Sequence, residues 1–127
     1  MNKKELREVI EKVMFLHPEN DYEREKCCEK EVSLIIEDMP GALDFIMNEC
    51  TDEEFFYLAE VFDDIARESQ NWEFIDTIKK RTAAVTVESY AKNSFKSDVL
   101  KRVTDVDKYK KMIKIDIEFA EYNMLDG

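Results

Sequence analysis

An all-α fold follows from three features of the 127-residue chain. Apolar residues recur at three- and four-residue spacing over most of its length. Only 2 Gly and 2 Pro are present, too few for the many tight turns of a sheet-rich fold. Charged residues make up 39%, against about a quarter in an average domain, and they share their segments with 44% apolar residues, as amphipathic helices require. The length suits one domain, 1–127, with six or seven helices packed antiparallel across short loops.

The first helix is expected over about 3–16, where Leu6, Val9, Ile10, Val13 and Met14 line one face and His17-Pro18 ends it. The second runs from about Asp21 to Asp38, with Tyr22, Cys28, Val32, Ile35 and Ile36 inward, and Pro40-Gly41 breaks it. A short third helix carries Leu43, Phe45, Ile46 and Met47. Thr51-Asp52-Glu53-Glu54 reads as a capping box, with three carboxylates at the positive end of a helix dipole. Phe55, Leu58, Ala59, Phe62, Ile65 and Ala66 then define a helix over about 52–68. After a break at Ser69-Gln70-Asn71, Trp72, Ile75 and Ile78 begin another, which ends in the basic run Lys79-Lys80-Arg81. A helix over about Val85–Ser94, a helical turn at Ser97–Leu100 and a last helix capped by Thr104 or Asp105 complete the chain. The β-branched run Ala84-Val85-Thr86-Val87 and the partial alternation in Met112–Phe119 leave an α+β arrangement open, with short strands near 82–88 and 112–119.

The net charge of −11 is unevenly spread: residues 21–70 hold 16 acids and 4 bases, residues 71–111 hold 6 acids and 10 bases. Solvation is the plainer reading of an acidic surface, but a crowded set of carboxylates also repels itself, and a basic partner would relieve that repulsion and be steered by the field. The expected contact face comprises Asp38, Asp44, Asp52, Glu53, Glu60, Asp63 and Asp64, with Phe56 or Tyr57 as its apolar anchor. Such a charge argues against direct binding to nucleic acid or an anionic membrane, and the short basic runs near Lys79 and Lys108 read as solvated helix ends.

Residues suited to catalysis are sparse. His17 is the only histidine, and it stands in no metal-ligand spacing. Glu60, Asp63 and Asp64 would place two carboxylates on one helix face, where a solvated acidic face is the plainer reading than a metal site. Cys27, Cys28 and Cys50 carry no nucleophile signature. No Gly-rich phosphate loop occurs. The expectation is a protein without catalytic residues, cofactor or metal. The odd cysteine count, an adjacent pair that does not easily bridge, the lack of a signal-peptide pattern and the lack of any 18-residue apolar run point to a reduced, cytoplasmic protein that does not enter the membrane.

The stretch Glu49-Cys50-Thr51-Asp52-Glu53-Glu54-Phe55-Phe56, then Leu58, Glu60-Val61-Phe62-Asp63-Asp64-Ile65 and Phe74-Ile75-Asp76, resembles small bacterial immunity proteins of contact-dependent growth inhibition and other polymorphic toxin systems. It covers about residues 49–81. The resemblance implies a non-catalytic cytosolic protein that binds the C-terminal toxin domain of a cognate effector and blocks its active site or substrate surface. Many such toxins are basic nucleases, which agrees with the charge map. It carries no fixed binding motif that transfers to individual residues here. A helical adaptor or regulatory protein for a basic partner is the alternative expectation.

Overall fold

Side-chain oxygens start nearly every helix. Asn2 accepts from Glu5 N (3.0 Å) ahead of α1 (Lys3–Met14), and Asn20 from Glu23 N (3.3 Å) ahead of α2 (Asp21–Glu37). Asp38 accepts from Gly41 N (3.1 Å) and opens α3 (Met39–Asp44). Pro40 therefore sits in the first turn of a helix, where its missing N–H is harmless, and the break falls earlier, at Asp38. A Cβ at Gly41 would collide with the capping carboxylate. Thr51 and Glu54 form the expected reciprocal cap of α4 (Asp52–Leu58). Asn71, Thr86, Ser97 and Asp105 cap α6 (Trp72–Ala83), α7 (Val87–Ala91), α8 (Asp98–Lys101) and α9 (Val106–Tyr122). Only α5 (Phe62–Ser69) lacks a side-chain cap, because a 3₁₀ turn at Ala59–Val61 carries the chain into it directly from α4. A π-helical turn, Phe45–Glu49, prolongs α3.

This computed structural model describes residues 1–125 and is all-α; among the described residues there is no strand. The two segments that left strands open are accounted for locally. Thr82 and Ala83 finish α6, and Thr86 with Ser89 caps α7, so only Ala84 and Val85 remain between helices. Val85 is β-branched because it is a core plug, not a strand residue. Met112–Phe119 lies in the middle of α9, where Ile113 and Ile117 continue the buried stripe begun by Tyr109.

The core is one cluster drawn from α1 through α9. Phe55, Phe62 and Phe74 pack as tilted and edge-to-face rings with centroids 5.4 and 5.8 Å apart, joining α4, α5 and α6. Of the inward assignments on α2, Tyr22 is exposed, Cys28 packs partly buried against the core cluster, and its neighbour Cys27 is the less exposed thiol. Trp72 is likewise half exposed at the start of α6. At the end of α5, Gln70 adopts a left-handed φ of 50°, and its amide donates to the carbonyls of Ala66 and Asn123 while its oxygen accepts from Leu125 N. That residue ties the C-terminal ends of α5 and α9 together, so the two helices lie side by side, with α2 on the other flank of α5.

Candidate functional site

With α2, α5 and α9 side by side, the rotation of α5 decides where its charges point. Phe62, Ile65 and Ala66 are buried. At about 100° per residue, Asp63 then turns toward α9, while Asp64 and Glu68 turn toward α2. The surroundings agree: the Asp63 charge acts on Asp116 of α9, whereas Asp64 and Glu68 line a groove with α2.

That groove encloses about 860 Å³. Its floor is Cys28, Val32 and Ile36, and its walls carry Glu25, Glu29, Glu37, Asp64 and Glu68, with no Lys or Arg in the lining. Of the five carboxylates only Asp64 has an ion-pair partner among the described residues, its neighbour Arg67. Glu25–Glu29 and Asp64–Glu68 are like-charged pairs at four-residue spacing, which weaken a helix by about 0.2–0.5 kcal/mol each.

The acidic character continues across α5. Glu60, in the 3₁₀ turn, is held by Arg24, whose Nη1 donates to both carboxylate oxygens at 3.3 and 3.4 Å. Behind it Glu31 is 1% exposed, and its Oε2 has no hydrogen-bond partner. Burial, with Glu60 nearby, pushes the Glu31 carboxyl up to about 8. On α9 the Asp116 carboxyl is pushed up to about 6 by burial and by Asp63 and Glu60. Burial also raises all three thiols, Cys28 to about 12 and Cys50 to about 11, so none is primed as a nucleophile. Among the described residues no group of three His, Cys, Asp or Glu side chains is placed to hold a metal ion. The arrangement offers a strong negative field over an apolar furrow.

The residues expected to form the contact face divide into two sets. Glu60, Asp63 and Asp64 lie together on the α2/α5/α9 face. Asp52 and Glu53 do not: they are turned into the protein. Arg81 donates to Asp52 Oδ1 (2.8 Å) and to the Cys50 carbonyl (3.1 Å), and Asn93 donates to Asp52 Oδ2 (2.8 Å). Glu53 accepts from Lys96 N, Ser97 N and Ser97 Oγ at 2.9–3.1 Å. These carboxylates hold α4 to α6 and to the loop before α8. Asp38 caps α3 and pairs with the Met1 amino group (2.7 Å); Asp44 pairs with Lys3 (3.3 Å) and accepts from Asn48 (2.8 Å). Phe56 stacks on Tyr109 (6.1 Å) and meets Tyr57 edge-on (5.2 Å), and both rings are half-buried against the core, so neither stands out as a bare anchor.

The residues missed by sequence reasoning are Glu25, Glu29, Glu37, Glu68 and Asp116. The four-residue repeat of acids on α2 was a visible signal; which helix would face it was not. Away from this face, α6 and α9 enclose a second groove of about 610 Å³, rimmed by Lys79, Lys110, Lys111 and Lys114 with Asp107, Glu118 and Glu121, over Ala83 and Ile117. No helix among the described residues is long and apolar enough to cross a membrane. Compared with protein-family models, curated proteins and solved structures, the chain matches none of them.

Proposed function

We propose that the protein is a cytoplasmic immunity protein that binds and neutralises a cognate toxin, a basic nuclease domain, through the acidic face of α2 and α5. The observation that carries this reading is the α2/α5 groove, with five carboxylates, an apolar floor and no cation in its lining. For the isolated chain such a groove is a cost, through like-charge repulsion along and between helices. For a complex with a surface built to hold phosphates it is an asset, because that surface is electropositive and the groove occupies its place. The charge of −12 on residues 21–70 would also raise the encounter rate at low salt by roughly 10–10³-fold.

The test is to look beside the gene of this chain for a large secreted protein and to co-express the chain with that protein's C-terminal domain. Growth should be restored by the chain and lost again when Glu25, Glu29, Asp64 and Glu68 are changed to lysine. The purified pair should bury roughly 1,600 Å², and its association should slow steeply with added salt. Association at one rate in low and high salt would refute the electrostatic part. Absence of both complex and rescue would refute the whole.

A further inference from the structure

The α2/α5 groove is set apart by the sign of its lining. Four other depressions in the surface each have at least one lysine in theirs. This one has five carboxylates and no Lys or Arg. The bases that flank it along the sequence are engaged: Lys26 lies over the Tyr22 ring (4.3 Å), Lys30 pairs with Glu5 (2.8 Å), and Arg67 pairs with Asp64. Arg24 is turned to Glu60. Four of the five carboxylates are therefore left to a cation from outside, among the described residues.

The shape and the hydrogen-bonding character of the groove narrow what can bring those cations. Cys28, Val32 and Ile36 follow one another at four-residue steps on α2, so the floor is a straight row about 12 Å long. Glu25 and Glu29 stand on the α2 wall, Asp64 and Glu68 on the α5 wall, each pair about 6 Å apart along its helix. Two packed helices lie about 8–10 Å apart, so the trough between them admits a single ridge of side chains. The lining is nearly all acceptor. Its side-chain donors are the Ser33 hydroxyl and the Cys28 thiol, and both walls are helices, whose backbone N–H groups bond within the helix. An extended segment laid in the trough would bring a carbonyl with every N–H, and its inward carbonyls would meet carboxylates. A helix brings its backbone already paired and presents side chains alone.

Resting on the reading of the protein as a binder of a basic partner, we infer that this groove seats one α-helix of that partner. Its apolar stripe lies on Cys28, Val32 and Ile36, and Lys or Arg along both edges face Glu25 and Glu29 on one side and Asp64 and Glu68 on the other. Cations one helical turn apart on each edge match the spacing of the acids on each wall. Residues 25–37 of α2 rise about 18 Å, so about twelve residues of the partner, three turns, fill the groove. The docked helix completes a three-helix layer with α2 and α5, and the like-charge pairs that weaken those helices in isolation become half of a matched set.

Two synthetic peptides are the probes. One carries leucine at helical spacing with lysine on both sides of that stripe and alanine elsewhere. The other is the same peptide with two central alanines replaced by proline, which keeps its charge and its leucines and breaks the helix. The helical probe should bind the intact protein, shift the amide resonances of residues 25–37 and 64–68, and bind about ten-fold or more tightly than its proline counterpart. Serine for leucine in the probe should weaken it by a similar factor. So should Glu29→Lys with Glu68→Lys in the protein, both at exposed positions. If the two peptides bind equally and the lysine changes weaken both, the helix is refuted and the acidic-face reading stands. If neither peptide binds, or the lysine changes have no effect, both are refuted. A dimer in sedimentation that the lysine changes dissolve would give the groove to a second copy of this chain and overturn the inference.

Discussion

Replacing Glu31 with glutamine should remove most of the pH dependence of stability near neutrality. Its carboxyl is 1% exposed, leaves one oxygen without a partner, and is pushed up to about 8 from its ordinary value of about 4.5. Because the folded value is the higher one, the folded chain holds the proton more tightly. The contribution to stability is therefore complete below about 4.5, falls as pH rises toward about 8, and is lost above it. Across the window the loss is on the order of 4–5 kcal/mol, and about 2–3 kcal/mol of it falls between about pH 5 and 7. That is a large share of the roughly 5–15 kcal/mol that holds an ordinary domain folded. Glutamine keeps the shape of the protonated acid and has no proton to release. Its buried amide costs about 1–3 kcal/mol at every pH. The variant should thus be weaker than the parent near pH 5 and stronger near pH 8, with the two stability curves crossing between. Asp116 adds slope in the same direction at the acid end, since its carboxyl is raised to about 6, so the window from about 6 to 8 isolates Glu31. Urea unfolding at intervals through that window measures it. A parent equally stable across it, or a variant with the parent's slope, would refute the reasoning.

Asp52→Ala should cost about 3–5 kcal/mol in urea unfolding, because it strands Arg81, whose side chain is 11% exposed and whose guanidinium also lies over the Phe55 ring. Glu53→Ala, which leaves the Lys96 and Ser97 amides without acceptors, should cost more than about 2 kcal/mol and speed amide exchange at both positions, while Glu54→Ala, which loses half of a surface cap, should cost about 1 kcal/mol. Glu29→Gln with Glu68→Gln should raise stability by a few tenths of a kcal/mol per like-charge pair relieved and at the same time slow association with a basic partner at low salt, read by stopped flow. In the folded protein the three thiols should label with a disulfide reagent far more slowly than in urea, since burial raises each of them, and fast labelling of Cys28 would contradict its position.

The helices were legible because two independent signals coincide at their starts: a capping side chain and the onset of apolar periodicity. Thr51 with Glu54, Asn71 and Asp105 all lie where those signals place them. Residues 82–104 were harder, because α7 and α8 have five and four residues, too few to display a period. The candidate site was half legible. That residues 21–70 hold the acid is arithmetic, but Asp52 and Glu53 look no different in sequence from Asp63 and Asp64. What separates them is the far side of the fold: Arg81 lies 29 residues from Asp52 along the chain, and Ser97 lies 44 from Glu53. Tyr22 shows the same gap, since a one-step error in helix rotation carries a ring from core to solvent.

Glu53 also bears on how the chain comes apart. Segments as short as α7 and α8 cannot sustain a helix in water by themselves, and the stretch between them, with no regular structure of its own, is moored by two carboxylates at the start of α4, Asp52 on Asn93 and Glu53 on Lys96 and Ser97. Residues 86–101 should therefore open and close as a unit, later to form than α4 and earlier to be lost. A protease added under native conditions would cut there first, and the rate of that nick would report whether the N-terminal end of α4 is intact long before any global melt registers a change.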